Sequence, residues 1–188
     1  AAATSVAKNP GASYNPVFIY GGVGLGKTHL IQAVGNKVKQ SNPNINIVYL
    51  PSEKFTTDIV DGIRNNSIDK LKEKYKKYDV LIIDDIQFIG GKEKTQEEFF
   101  HIFNELHGKN KQIIISSDRT PQSLSLLEER LRSRFAGGMV ADIGPPDYET
   151  RMAILKTKAV ERGLKLNDDV LGFLSNNIHK NIRELEGA

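Results

Sequence analysis

The 188-residue sequence has no cysteine, so it can form no disulfide, no thiolate metal site and no cysteine nucleophile. That usage suits a reducing compartment, and a cytoplasmic location is the expectation. No apolar run approaches the roughly 18 residues that span a bilayer, which excludes a transmembrane helix. A charge of one sign is also missing: 26 Lys+Arg stand against 23 Asp+Glu, and the resulting +3 does not by itself point to nucleic acid. Internal repeats and low-complexity tracts are absent. The chain opens AAATSVAKNPG, with neither an initiator Met nor a charged-then-apolar signal pattern, as expected of a fragment of something longer.

What is present is the composition of a soluble globular domain, 39% hydrophobic and 26% charged. The length allows one domain, or one with a small appendage, and a compact fold of that size buries roughly 70% of its unfolded surface. The charge is unevenly placed. Residues 64–77 (RNNSIDKLKEKYKK) hold six basic and two acidic side chains, a local +4, leaving −1 for the rest. Such a stretch is more often a solvated helix face than a phosphate-binding surface.

Short apolar runs bounded by turn signals at 17–20, 45–50, 80–83, 113–115 and 139–143 read as strands. Between them lie helical periods such as Phe99, Ile102, Phe103 and Leu106. Ile- and Val-rich strands without alternation are buried on both faces, so the fold class is α/β: a mostly parallel sheet between helical layers. The connection 51–79 is too long for one helix and carries a turn cluster at 61–66, which predicts two helices. Gly144-Pro145-Pro146 ends the last strand. The expected division is an α/β core at 1–146 with the insertion at 51–79, then a small all-helical domain at 147–188 that stops early in its third helix.

The sharpest motif is GGVGLGKT at 21–28, which fits G-x-x-x-x-G-K-[ST] between a strand and a helix. Glycines let backbone N–H groups wrap a phosphate, and the following helix N-terminus favours anionic oxygens. Lys27 would sit on the β- and γ-phosphates and the Thr28 hydroxyl on Mg²⁺. A glycine-rich turn that merely precedes a lysine is the competing reading, and the strand–loop–helix context argues against it. The run VLIIDD then delivers Asp84 and Asp85 at a strand's C-terminal end, where α/β sheets bind ligands. Asp84 suits the Mg²⁺ shell and Asp85 the attacking water. Many relatives of such sites carry Glu at the second position. Asp85 is one methylene shorter, so slow hydrolysis, a weak ATPase, is expected.

The run IIISSD ends in polar residues that could sense the γ-phosphate, although Ser117 or Asp118 could equally be turn caps. Arg130 and Arg134 lie four apart on one helix face and could reach a neighbouring subunit's γ-phosphate or be ordinary surface arginines. Arg183 opens the last helix, where a lid could swing it onto the same phosphate. The histidines 29, 101, 107 and 179 show no metal-ligand spacing.

Together these pieces resemble the AAA+ ATPases. YNPVFIYGGVGLGKTHL, VLIIDDIQFIGGKEKTQEEFF, IIISSDRTP, LRSRF and NIRELEGA are similar more narrowly to the ATPase domain of the bacterial chromosomal replication initiators. The resemblance implies a three-layer P-loop sandwich on a five-stranded parallel sheet with a truncated helical lid. It implies ATP or ADP on Gly22, Gly24, Leu25, Gly26, Lys27, Thr28, His29 and Arg183, with Mg²⁺ on Thr28 and Asp84. The catalytic set would be Asp84, Asp85, Asp118 as first sensor, Arg134 as finger acting in trans with Arg130 supporting assembly, and Arg183 as lid sensor. The partners implied are further copies in an ATP-dependent helical oligomer and single-stranded origin DNA on Val60, Lys92 and Lys94. In the full-length protein they also include the replicative helicase, and duplex origin DNA through a domain absent here. The alternatives are a helicase-loader ATPase, in which turnover does the work, and a nucleotide-binding regulator of the initiator.

Overall fold

The computed structural model describes residues 2–178 and 182–187. His179 and Asn181 therefore lie outside the described residues. A short helix α1 (Ala2–Lys8), which the sequence reading did not anticipate, precedes the first strand. Five strands follow in the places the apolar runs marked: β1 (Val17–Gly21), β2 (Ile47–Pro51), β3 (Val80–Asp84), β4 (Gln112–Ser117) and β5 (Met139–Ile143). They form a parallel sheet in the order β2-β3-β4-β1-β5. Every residue of β3 and β4 is buried, as their unbroken Ile, Leu and Val runs require.

The helices are α2 (Lys27–Ser41), α3 (Ser52–Arg64), α4 (Ile68–Lys76), α5 (Glu93–Gly108), α6 (Glu129–Ala136), α7 (Tyr148–Glu161), α8 (Asp168–Asn177) and α9 (Ile182–Gly187). The insertion at 51–79 does form two helices, α3 and α4. Between them Asn66 adopts φ 51°, a left-handed turn that asparagine tolerates. Among the described residues no helix is long and apolar enough to cross a membrane.

The chain divides into two compact units. One comprises Ala1–Tyr20 with Thr28–Asp142, the other Gly21–Lys27 with Ile143–Ala188. The first unit has the large core, in which Phe18, Phe55, Phe99, Phe103 and Phe135 are fully buried alongside Ile and Leu from the strands. The ring of Phe135 from α6 stands 5.6 Å from Phe18, 6.2 Å from Phe99 and 6.0 Å from Phe103. The second unit packs Leu155, Leu171 and Leu185 from α7, α8 and α9 together. Asp147 and Asn167 cap α7 and α8 by accepting from Thr150 N and Val170 N.

Asp79 anchors the start of β3. Its carboxylate pairs with Lys111 and accepts from Asn46 N at 2.9 Å. The Lys111 ammonium, then the Asn46 amide, hold its pKa below the ordinary 3.8. A depressed folded-state pKa stabilises fully above the ordinary value, and the contribution is lost as pH falls through the lower folded one. Acid unfolding followed by circular dichroism should therefore begin at higher pH in the wild type than its neutral stability alone requires. In Lys111→Met the stability difference from wild type should shrink below pH 3.8.

Candidate nucleotide site

The first unit contributes a buried carboxylate on which three hydroxyls converge. Asp84, 4% exposed at the end of β3, accepts from Thr28 Oγ1 and Tyr49 Oη, both at 2.7 Å on Oδ2, and from Ser116 Oγ on Oδ1. The sheet order explains the convergence. β2, β3 and β4 are neighbours, Pro51 pairs with Asp84 and Ile83 with Ile115, so Tyr49 and Ser116 flank the acid from either side. Thr28 arrives from the first turn of α2. Burial, followed by the hydrogen bond to Asp84, pushes the Tyr49 phenol up to about 12, so it keeps its proton and donates.

Asp85 follows in the left-handed region, φ 54° and ψ 55°, which is uncommon for a residue with a side chain. Such a conformation persists only where its surroundings over-determine it. Here Asp85 N donates to Ser116 Oγ at 2.8 Å, and Asp85 O accepts from Ser52 Oγ at 2.6 Å. Its Oδ1 accepts from Gln87 Nε2 at 3.1 Å, and Gln87 Oε1 in turn accepts from Asp118 N at 3.3 Å. One side chain thus links the second acid to the first residue beyond β4.

Asp118 itself is engaged. Arg119 donates to both of its carboxylate oxygens, from Nε at 2.9 Å and Nη2 at 2.7 Å. The two candidate finger arginines are exposed on α6. Arg130 pairs with Glu128 and lies over the Phe100 ring at 4.5 Å, while Arg134 sits in the helix's last turn. Val60 is partly exposed on α3, and Lys92 and Lys94 are exposed at the start of α5, where Lys94 pairs with Glu97 at 2.7 Å. His29 is exposed on α2. In the basic stretch, Lys72 pairs with Glu98 and Lys76 with Glu73, and the apolar side of α4 buries Tyr75.

In the second unit, the loop Gly21–Lys27 has Gly24 and Gly26 at φ 77° and 87°, a region closed in practice to β-branched and bulky residues. A side chain at Gly21 would place its Cβ 2.4 Å from Ile143 O, so only glycine fits there. Lys27 is 7% exposed and its ammonium donates to Gly21 O at 2.8 Å and Gly22 O at 2.9 Å. Leu25 is buried. Ile182 N donates to Gly24 O at 2.8 Å, which brings the first turn of α9, and hence the exposed Arg183, to this loop.

Sequence reasoning passed over Tyr49, Ser52, Gln87 and Ser116. Ser116 had a signal: a small hydroxyl inside an otherwise apolar buried strand needs a partner. Tyr49 and Ser52 had none, because an aromatic in a strand and a serine at a helix start are ordinary there, and nothing nearby in sequence marks their distant partners.

Comparison with known proteins bears on the family and the fold. The family model described as the bacterial DnaA ATPase domain matches residues 1–142. Domain III of the Thermotoga maritima replication initiation protein DnaA is 51% identical, with a TM-score of 0.94 over 99% of this chain and 78% of that one. AMPPCP-bound DnaA from Aquifex aeolicus is 44% identical, with a TM-score of 0.89 over 99% of this chain. A DnaA structure bound to AMPPCP and single-stranded DNA gives the same identity and TM-score over 98%. This chain spans 57% of each of the latter two. The helicase-loader and regulator alternatives are not favoured by these likenesses. The chain belongs to the bacterial DnaA ATPase domain family.

Proposed function

We propose that this chain is the ATP-binding assembly module of a replication initiator: it binds ATP, joins further copies of itself in that state, and holds single-stranded origin DNA. Slow hydrolysis turns the assembly off. The observation that carries the reading is the 2.7 Å hydrogen bond between Thr28, the last residue of the phosphate-loop motif, and Asp84, the first of the acidic pair. A hydroxyl and a carboxylate held together in this way are the donor set that suits Mg²⁺, which keeps waters and phosphate oxygens for its remaining positions. When bound, that ion would neutralise phosphate charge.

The protein's own groups have distinct tasks. Lys27 exchanges its two carbonyl partners for phosphate oxygens, and the loop's backbone N–H groups wrap the same phosphates. Gly22, Gly24, Leu25, Gly26 and His29 belong to this nucleotide-facing segment. Asp85 orients water and accepts its proton as the water oxygen bonds to the γ-phosphorus and the bond to the ADP oxygen breaks. The short Asp85 side chain, fixed by its left-handed backbone, makes this step slow. Asp118, Arg183 from residues 147–188 as lid, and Arg134 from an adjacent copy respond to the γ-phosphate. Val60, Lys92 and Lys94 meet the DNA strand.

Sedimentation with ATP and with ADP tests the assembly claim. ATP should give larger species than ADP, and Arg134→Ala should abolish the difference while its ATP affinity stays within about twofold. Arg134→Ala assembling normally would remove the trans role. In the same preparations Asp85→Glu should turn over faster than wild type, and an unchanged rate would contradict the account of slow hydrolysis.

A further inference from the structure

The β2–α3 junction contributes two side chains to the acidic pair that the motif-based reading leaves without a role. Tyr49 and Ser52 are three residues apart, on either side of the strand-to-helix turn. Val48 and Leu50 pack against the large core, so alternation turns Tyr49 to the opposite face of the sheet. A phenylalanine would fill that place equally well. The hydroxyl of Tyr49 is informative because burying it without a partner is unfavourable, and its partner is Asp84 Oδ2, the same oxygen that Thr28 uses.

Ser52 is the first residue of α3 and is completely buried. The N-cap position of α3 belongs to Pro51, so Ser52 stands one place past it and its hydroxyl is not committed to capping. Its hydroxyl points across to Asp85 O at 2.6 Å. Ser116 holds the other end of the same residue through Asp85 N. The left-handed Asp85 backbone is thus held from β4 on one side and from α3 on the other. Removing either hold releases a conformation that the residue does not favour by itself.

We infer that Tyr49 and Ser52 are positioning residues: Tyr49 fixes the direction of the Asp84 carboxylate, and Ser52 fixes the Asp85 peptide and ties it to the first turn of α3. This rests on the reading of Asp84 and Asp85 as the acidic pair. Two consequences follow. Neither residue belongs to the phosphate-loop segment, so each is expected to act on turnover and not on ATP affinity. A change at Asp85 on loss of the γ-phosphate is also felt at the start of the α3–α4 insertion, because coupling between two sites is reciprocal.

Tyr49→Phe and Ser52→Ala test this in the same chain, with Lys27→Ala beside them. Support partners around a reactive centre are typically worth roughly ten- to hundredfold. Expected for both variants is a fall of about tenfold in kcat with KM for ATP and ADP affinity within about twofold, at a melting temperature within about 5 °C of wild type. Hydrogen exchange gives a readout independent of turnover: α3 amides should differ between ATP and ADP in the wild type, and Ser52→Ala should remove that difference. Wild-type kcat in both variants, or an α3 difference that persists in Ser52→Ala, overturns the inference. A fall in kcat accompanied by a lower melting temperature and a raised KM also overturns it, since that is the pattern of general loosening. Failure of the underlying reading is distinct, because Lys27→Ala would then leave ATP affinity at its wild-type value.

Discussion

Replacing Lys27 by alanine should weaken ATP binding by about ten- to hundredfold, measured by titration calorimetry in the presence of Mg²⁺. A hydrogen bond to a charged group contributes about 1.5–3 kcal/mol, and each 1.4 kcal/mol is a factor of ten. Lys27 has more than one such bond at stake. Its ammonium is almost wholly buried and already bonded to the carbonyls of Gly21 and Gly22. It occupies the first position of α2, where alanine is a good helix former, so the helix itself tolerates the change and only the two carbonyl bonds are lost to the fold. The expected signature is weaker binding with a melting temperature lowered by no more than about 10 °C. Lys27→Arg should recover little, because a planar fork cannot replace a compact ammonium between two neighbouring carbonyls. Wild-type affinity in Lys27→Ala would mean that nucleotide does not sit on this loop.

Phe135→Ala should destabilise the chain by about 3–5 kcal/mol, the usual cost of emptying a buried aromatic site. At roughly 2–4 °C per kcal/mol for a chain of this size, the melting temperature should fall by about 10 °C. The position warrants the upper part of that range. Phe135 packs on Phe18 of β1 and on Phe99 and Phe103 of α5, so its removal opens a void shared by a strand and two helices. It also fixes α6, which carries Arg130 and Arg134 on its exposed side. A helix without its buried anchor presents those arginines less uniformly, so ATP-dependent assembly should weaken more than ATP affinity does. A melting temperature within about 2 °C of wild type would show that the site collapses around the smaller side chain.

The local features of this protein were legible in its sequence, and the reason lies in their range. The run Val80–Asp84 announces a buried strand because five apolar or terminal acidic residues in succession admit little else. The phosphate loop is legible because glycine spacing and a following helix are both set within the motif at 21–28. The turn at Asn65 and Asn66 separated α3 from α4 for the same kind of reason. Partners that meet through space were not legible. The Ser116 hydroxyl could be seen to need a partner, but β4 is inserted between β3 and β1, so its meeting with Asp84 depends on a strand order that no local pattern encodes. Tyr49 looks like any aromatic in a strand. The left-handed conformation at Asp85 was equally invisible, since it is held by Ser116 and Ser52 and by nothing in the local sequence. For Asp118 the sequence suggested a phosphate sensor or a turn cap, and the structure adds a bidentate pairing with Arg119 that such sensing would have to exchange.

The central claim is that ATP governs the hold on single-stranded DNA. Its most direct test is the affinity of this chain for an unstructured oligonucleotide with ATP and with ADP, across a salt series. The account predicts tight binding with ATP and weak binding with ADP. It also predicts that replacing Lys92 and Lys94 by alanine lowers the salt slope by up to about 1.4, roughly 0.7 for each phosphate no longer neutralised on a single strand. Equal affinity in the two nucleotide states would contradict it, leaving the basic residues as a nonspecific electrostatic surface.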